Sequence, residues 1–287
     1  MNLKITLKLN NFIIRTITGS LIVIITSALI LISEWTFLAF ILGAGAWLNI
    51  EFLRIAKNDR NKPNTALTVL STILILALVF FINHFNFNPA LYWLSFIPVF
   101  VLFITELYSK NETPIRNIAV SLFTLVYTVF PLVLSIFIVN GDMLYYQNPN
   151  NMFSPTVLLG VFVLIWVYDS MAYCVGVPLG RHRLFERVSP KKSWEGTIGG
   201  AALTLIASYF INLLFPILPK FDWIVITSIV IVFGTLGDLI ESLFKRSFAI
   251  KDSGATLPGH GGLLDRFDSF IFVIPWVWIY FIIRGVF

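Results

Sequence analysis

The sequence predicts an all-α, polytopic membrane protein with about nine transmembrane helices, a cytoplasmic N-terminus and a C-terminus outside. The composition is 57% hydrophobic and only 12% charged, with a mean hydropathy of +0.86, whereas a soluble domain is about half apolar and about a quarter charged. Long apolar runs recur along the chain, and the connections between them alternate in charge. These observations exclude a soluble globular domain.

Nine apolar runs approach the length of about 17–25 residues that a helix needs to cross the hydrocarbon core. They lie at 12–33, 36–55, 64–83, 89–107, 117–139, 156–178, 196–216, 222–245 and 269–284. The first run follows a basic N-terminus, as in a signal peptide. No small-x-small cleavage site precedes the next polar residue, so we expect a retained first helix.

The basic residues indicate the orientation. All of them except Lys220 and Arg284 fall on one side of the predicted helices, and the positive-inside rule places that side in the cytoplasm. The net charge of +5 therefore follows from topology, and we expect no nucleic-acid partner.

Polar sequence is concentrated in the last four helices. We expect residues 1–140 to be mainly scaffold and 141–287 to be the catalytic region, with cytoplasmic loops at 180–195 and 246–268. The single cysteine, Cys174, excludes an intramolecular disulfide and a cysteine-based metal cage.

The eighth apolar run carries a pair of carboxylates near its cytoplasmic end. Asp238 and Glu241 are spaced i, i+3 and Ser242 follows at i+4, so all three share one helix face. Gly234 and Gly237 lie on the same helix and have no side chain, so they permit a partner helix to approach closely. The alternative is a solvated pair, or a pair bound to the basic residues of the next turn.

Asp265 and Asp268 repeat this spacing where the ninth run begins. Four carboxylates at one membrane face provide the oxygen ligands that Mg²⁺ prefers, and Mg²⁺ usually keeps waters and binds phosphate. The alternative is capping of the helix N-terminus by acidic side chains.

A basic, glycine-rich loop connects the two carboxylate pairs. Lys245, Arg246 and Lys251 could neutralise a polyphosphate, and the glycines in 258–262 let the backbone approach an anion. His260 is equally compatible with a proton carrier, a phosphate donor or a turn residue. The loop lacks G-x-x-x-x-G-K-[ST], so it is not a Walker P-loop.

The preceding cytoplasmic loop offers similar chemistry. Asp169 lies inside the sixth run, where an acid is a functional candidate or a buried hydrogen-bonding residue. In 189–196, Lys191 and Lys192 precede a helix N-terminus that Ser193 could cap and that would attract an anion. Positive-inside topology alone would also explain the lysines.

Together these residues resemble the phosphatidate cytidylyltransferases, also called CDP-diacylglycerol synthases. The family signature S-x-apolar-K-R-x4-K-D-x-small-x2-apolar-P-x-H-G-G-apolar-x-D-R-apolar-D is matched in order over 242–268. Upstream elements are the acid-[ST]-x-A-Y segment at 169–173, S-P-K-K-[ST]-W-E-G at 189–196 and G-D-x-x-E-S at 237–242. The resemblance covers about 165–287. The segment 176–180 departs from the family pattern, which leaves open whether Arg181 and Arg183 bind phosphate.

The resemblance implies an enzyme that transfers CMP from CTP to phosphatidic acid, giving CDP-diacylglycerol and pyrophosphate for phospholipid synthesis. It implies Mg²⁺, with room for a second cation such as K⁺. It also suggests a homodimer in the bilayer of the bacterial inner (cytoplasmic) membrane, with the active site at the cytoplasmic face. The lipid phosphate would attack the α-phosphorus of CTP in line.

The resemblance and the chemistry above give three sets of site residues. The expected metal ligands are Asp238, Glu241, Asp265 and Asp268. The expected catalytic residues are Lys245, Arg246, Lys251, Asp252, His260 and Arg266. The expected substrate-binding residues are Asp169, Tyr173, Ser189, Lys191, Lys192, Ser193, Glu195, Ser242, Gly261 and Gly262.

Two alternatives remain. The nearest is a related CTP-using enzyme, such as a polyprenol kinase or a cytidylyltransferase for another lipid, which would share the nucleotide chemistry. A transporter would use the intramembrane acids for ion coupling, but it predicts inverted repeats and acids near the bilayer midplane, whereas most acids here cluster at one face.

Overall fold

The computed structural model describes residues 2–58, 61–140, 155–250, 252–254, 256 and 261–285, with side chains from residue 16 onward. The described chain is almost entirely helical. The elements in chain order are α1 Asn2–Leu31, α2 Glu34–Ala56, α3 Thr65–His84, α4 Ile97–Leu107, α5 Pro114–Thr124, α6 Phe130–Asn140, α7 Thr156–Leu179, β1 Arg183–Phe185, β2 Ser189–Ser193, α8 Trp194–Leu214, α9 Lys220–Ile229, α10 Thr235–Ser247 and α11 Leu264–Arg284.

One 3₁₀ segment, which is wound more tightly than an α-helix, and two π-helical turns, which are wider, connect some of these helices. A 3₁₀ segment, Pro89–Phe96, leads into α4. Single π-helical turns, Leu125–Val129 and Val230–Gly234, join α5 to α6 and α9 to α10. Each of these combinations forms one continuous helical stretch.

Eight helical stretches in the described residues are long and apolar enough to cross a membrane. They are Glu34–Ala56, Thr65–His84, Pro89–Leu107, Pro114–Asn140, Thr156–Leu179, Trp194–Leu214, Lys220–Ser247 and Leu264–Arg284. Each coincides with a predicted apolar run, which confirms the all-α, polytopic membrane class. The first predicted run, 12–33, falls on α1, where Thr16–Leu31 is a shorter apolar stretch.

The first compact unit comprises residues 1–78, 89–129 and 250–266. Its helix α2 begins with a capping box, in which the backbone N–H of Thr36 donates to Ser33 Oγ at 3.1 Å and that of Ser33 donates to Thr36 Oγ1 at 3.0 Å. Further along α2, the ring of Phe52 packs 5.5 Å from Phe123 and 5.6 Å from Tyr127. Aromatic packing of this kind holds α2 against the α5 stretch.

The second compact unit comprises residues 79–88, 130–249 and 267–287. Phe162 on α7 stacks on Phe270 of α11 with ring centroids 4.6 Å apart. Trp223 on α9 is fully buried, and its indole lies so close to Gly160 of α7 that a Cβ there would be 2.7 Å from Cζ3. A glycine is therefore required at position 160 for α9 to pack against α7.

A two-stranded hairpin, which the sequence did not predict, lies in the loop between α7 and α8. Strand β1 pairs antiparallel with β2, with Arg183 opposite Ser193, Phe185 opposite Ser189 and an irregularity between these pairs. The strands are too short for alternating hydrophobicity to reveal them. The hairpin thus gives regular structure to the loop predicted at 180–195.

Candidate functional site

Helices α10 and α11 approach each other at backbone distance. A Cβ on Gly237 would lie 2.5 Å from the carbonyl oxygen of Asp268, so only glycine permits this contact. One turn earlier, Ser269 Oγ donates to the carbonyl of Gly234 at 3.1 Å, at the end of the π-helical turn, where the regular ladder of backbone hydrogen bonds is interrupted. The predicted close approach of a partner helix at these two glycines is confirmed.

This contact assembles a group of ionisable side chains, which we call the charged cluster: Asp169, Lys192, Asp238, Glu241, Lys245 and Asp268. Lys192, on β2, forms an ion pair with Asp238 on α10, and Ser242 Oγ donates to the other oxygen of Asp238 at 3.3 Å. Glu241 is 1% exposed and pairs with Lys245 Nζ at 2.5 Å, one turn along α10. The expected salt-bridged alternative therefore holds for Glu241.

Asp268 is the most buried aspartate of the charged cluster, at 9% exposure. The backbone N–H of Ser269 donates to Asp268 Oδ1 at 2.6 Å. The carboxylate also interacts electrostatically with Asp238, Glu241 and Asp169. Four carboxylates thus share two lysines, and such an excess of negative charge within membrane helices favours a cation.

Lys192 is held in its charged form. Burial by itself lowers the pKa of this lysine, but the carboxylates of Asp238, Asp169 and Asp268 raise it above the ordinary value of 10.5. Lys192 is therefore a permanent cation at neutral pH. It lies at the edge of the cluster, with its side chain 28% exposed.

The hairpin runs directly into α8 through a helix cap. Ser193 Oγ accepts from the backbone N–H of Gly196 at 3.2 Å, so Ser193 caps α8 as predicted. Glu195 accepts from the backbone N–H groups of Arg181 and His182 at 3.0 and 3.2 Å and from His182 Nδ1 at 2.5 Å. Glu195 therefore anchors the start of the hairpin to the first turn of α8.

Asp265 belongs to the first compact unit and has local partners there. It accepts from the backbone N–H of Gly262 at 2.8 Å, and from the N–H and the hydroxyl of Ser253 at 3.1 and 2.9 Å. Gly261 adopts a positive φ of 79°, and a Cβ there would lie 2.6 Å from Asp265 Oδ2. Gly261 is thus required by its backbone conformation and by the close contact with Asp265, independently of a ligand.

The remaining expected residues are placed as follows. Lys251 and His260 lie outside the described residues. Arg246 Nε donates to the carbonyl of Val188 in the hairpin connection at 3.4 Å. The side chains of Tyr173, Lys191, Asp252, Arg266 and Asp169 are exposed, and that of Ser189 is half-buried.

Glu51, an acid in the C-terminal third of α2, was not predicted as a site residue. It is 1% exposed and accepts hydrogen bonds from the loop that precedes α11. The criterion that selected Asp169, an acid inside an apolar run, would have found it. No recognisable motif surrounds it.

The donor chemistry of the charged cluster suits Mg²⁺, because it consists of carboxylate oxygens with a surplus of negative charge. Among the described residues, however, no group of three or more Asp, Glu, His or Cys side chains forms a ready metal cage. An ion at this position would therefore need oxygens from water or a substrate as well.

Comparison with known proteins shows the family. The model of the cytidylyltransferase family matches residues 13–283, so the chain belongs to this family. The chain is 39% identical over 181 residues to the phosphatidate cytidylyltransferase of Staphylococcus saprophyticus, covering 61% of this chain and 64% of that one. It is 45% identical over 124 residues to the phosphatidate cytidylyltransferase of Bacillus subtilis, covering 43% and 46%. The chain thus matches somewhat less than two thirds of the length of the first relative and less than half of the second.

Proposed function

We propose that this protein transfers CMP from CTP to phosphatidic acid, giving CDP-diacylglycerol and pyrophosphate. The observation that carries the proposal is the charged cluster, in which carboxylates on membrane helices outnumber the lysines that face them, one on strand β2 and one on α10, in a cytidylyltransferase-family chain. The two relatives, both phosphatidate cytidylyltransferases, support the same reaction. The homodimer stays a prediction.

The reaction exchanges one phosphorus–oxygen bond for another. An oxygen of the lipid phosphate bonds to the α-phosphorus of CTP, and the bond from the α-phosphorus to the oxygen bridging to the β-phosphate breaks, which releases pyrophosphate. Both reactants are anions, so catalysis consists mainly of positioning and charge neutralisation. A strong general base is not required because phosphatidate is already ionised at neutral pH.

Within the proposal, Asp238, Glu241 and Asp268 would hold Mg²⁺, and Asp265 is assigned to it from sequence spacing alone. When bound, the ion would supply charge neutralisation. Lys192 pairs with Asp238 and Lys245 pairs with Glu241. Both ammonium groups would neutralise phosphate oxygens of CTP and of the lipid.

The orientation is part of the same proposal. Basic residues on the hairpin side of the membrane favour the cytoplasm, and the phosphate of a lipid in that leaflet lies in the headgroup plane. The lipid would therefore present its phosphate at the membrane boundary where α10 ends.

The test uses purified full-length protein in detergent with Mg²⁺, phosphatidic acid and CTP labelled with ³²P at either the α or the γ position. CMP transfer moves the α label into the chloroform phase and releases the γ label as pyrophosphate. EDTA should abolish the transfer of the α label and the release of pyrophosphate. A γ label in the lipid phase, with a lipid alcohol as acceptor, would instead establish a CTP-dependent kinase. No turnover with either class of lipid would refute the enzyme proposal.

A further inference from the structure

The carboxylate of Glu51 lies at the centre of a hydrogen-bond network within the first compact unit. Glu51 Oε1 accepts from Thr256 Oγ1 at 2.8 Å and from the backbone N–H of Leu263 at 3.1 Å. Glu51 Oε2 accepts from the backbone N–H of Leu264 at 2.8 Å and, at 3.4 Å, shares the single hydroxyl proton of Ser253 with Asp265. These partners are more than 200 positions away in the sequence.

Every recorded partner of this carboxylate is a donor. The fifth is Trp47 Nε1, which donates to Oε1 at 3.0 Å from the preceding turn of α2. Both oxygens are thus used as acceptors, whereas an amide at this position would offer one acceptor oxygen and an NH₂ donor. A buried carboxylate with several neutral donors is strongly bound, and losing the acceptor leaves those donors without a partner.

The network binds the start of α11. Leu264 is the first residue of α11, so Glu51 accepts N–H groups that have no partner within that helix. The negative charge also lies at the positive end of the helix dipole. An acid on α2 therefore acts as the cap of α11.

The backbone of the loop approaches the Glu51 carboxylate closely at two glycines. A Cβ on Gly262 would lie 2.5 Å from Glu51 Oε2, and a Cβ on Gly254 would lie 3.0 Å from Oε1. Two glycines of the loop thus permit its backbone to reach the carboxylate. This observation is independent of the hydrogen bonds.

Glu51 connects to Asp265 through a shared residue. The hydroxyl of Ser253 lies 3.4 Å from Glu51 Oε2 and 2.9 Å from Asp265 Oδ2. Gly262, whose N–H donates to Asp265, contacts Glu51 as well. The position of the Asp265 carboxylate therefore depends on a loop that Glu51 holds.

We propose that Glu51 is a positioning residue of the active site, which holds the loop before α11 and thereby orients Asp265. Helix α2 lies in the part of the chain that was expected to be mainly scaffold. The proposal gives one of its residues a direct effect on residues of the family signature. It rests on the proposed function where it concerns catalysis, and on the hydrogen bonds alone where it concerns the loop.

The first measurement is backbone hydrogen exchange of the full-length protein, which does not require activity. Glu51→Gln should accelerate exchange in peptides that contain Leu263 and Leu264 by about tenfold or more. The matched control is Glu106→Gln, which changes a buried glutamate on α4 that accepts from Asn111 and Asn117 at 3.0 and 2.6 Å. Equal exchange at Leu263 and Leu264 in the Glu51→Gln and wild-type proteins would overturn the proposal.

The second measurement is a double-mutant cycle on CMP transfer. Glu51→Gln should lower kcat/KM by about 10- to 100-fold, and Glu51→Asp should restore part of this loss. If Glu51 acts through Asp265, the combination with Asp265→Asn should lose little more than Asp265→Asn alone. The control pair, Glu106→Gln with Asp265→Asn, should show losses that multiply. Losses that multiply in Glu51→Gln with Asp265→Asn would contradict the positioning role. An inactive wild type would refute the proposed function and leave the exchange result to decide on the loop.

Discussion

Lys192 on the hairpin strand β2 pairs with Asp238 on α10, and this ion pair connects two elements that are 46 positions apart in sequence numbering. Both elements belong to close helix contacts nearby, since a Cβ on Gly200 of α8, the helix that follows β2, would lie 2.8 Å from Ala172 of α7 and a Cβ on Gly237 of α10 would clash with α11.

Replacing Lys192 by methionine should lower kcat/KM for CMP transfer by roughly 100-fold or more, because a cation facing three carboxylates is lost from a partly desolvated site. Lys192→Arg should retain part of the activity, since it keeps the charge but not the shape of the ammonium group. The control is Lys220→Met, a lysine that lies 5.1 Å above the Tyr209 ring at the start of α9. Similar rates in the two methionine variants would argue against a role for Lys192.

Replacing Gly237 by alanine should separate α10 from α11, because the new Cβ meets the backbone of Asp268 at 2.5 Å. We expect the free energy of unfolding to fall by about 1–3 kcal/mol and CMP transfer to fall as well. Gly43→Ala on α2 is the matched control, since a Cβ there meets nothing within 4 Å and alanine favours helix. Thermal unfolding in detergent compares the two, and equal stability would contradict the close contact.

Replacing Ser193 by alanine should lower the free energy of unfolding by about 1 kcal/mol, because the N–H of Gly196 loses its capping acceptor. Ser193→Asp restores a cap, so its stability should recover. If Ser193 also binds phosphate, the aspartate should raise the KM for CTP through charge repulsion. The comparison is Ser33→Ala, which removes the cap of α2 and should cost similar stability without changing that KM.

The pH dependence of activity should not reflect deprotonation of Lys192. Burial lowers the pKa of this lysine, but the facing carboxylates raise it above 10.5. A group with a raised pKa contributes its stability in full below the unfolded-state pKa and loses it only as pH rises through the folded-state pKa. The shape of the kcat/KM profile between about pH 6 and about pH 9 should therefore be the same in wild type and Lys192→Arg. An alkaline limb in that range that disappears with arginine would contradict this expectation.

The helices were predictable because length and hydropathy suffice to recognise a membrane span. The shared face of Asp238 and Glu241 and the close contact at Gly237 also followed from local spacing, since a helix fixes which residues are neighbours. The ion-pair partner of Asp238 could not be predicted from local spacing. Asp238 pairs with Lys192 from a distant strand, and no spacing rule predicts such a contact.

Two features were not predicted from the sequence, for different physical reasons. The hairpin of β1 and β2 consists of strands of 3 and 5 residues, whose conformation is decided by tertiary contacts rather than by propensity. Glu51 interacts with backbone N–H groups, which every residue possesses, so its partners leave no mark in the sequence. Its position inside an apolar run was the one available signal.

The central claim is that the charged cluster performs CMP transfer, and one pair of variants tests it most directly. Asp268→Asn removes a buried carboxylate of the cluster, whereas Asp222→Asn changes an aspartate that is even more buried, accepts from Tyr280 Oη at 2.6 Å and pairs with Arg284. Transfer of α-labelled CMP to phosphatidic acid is measured per folded protein. The account predicts a loss of roughly 100-fold or more in Asp268→Asn and near-normal transfer in Asp222→Asn. Equal rates in the two variants would contradict it.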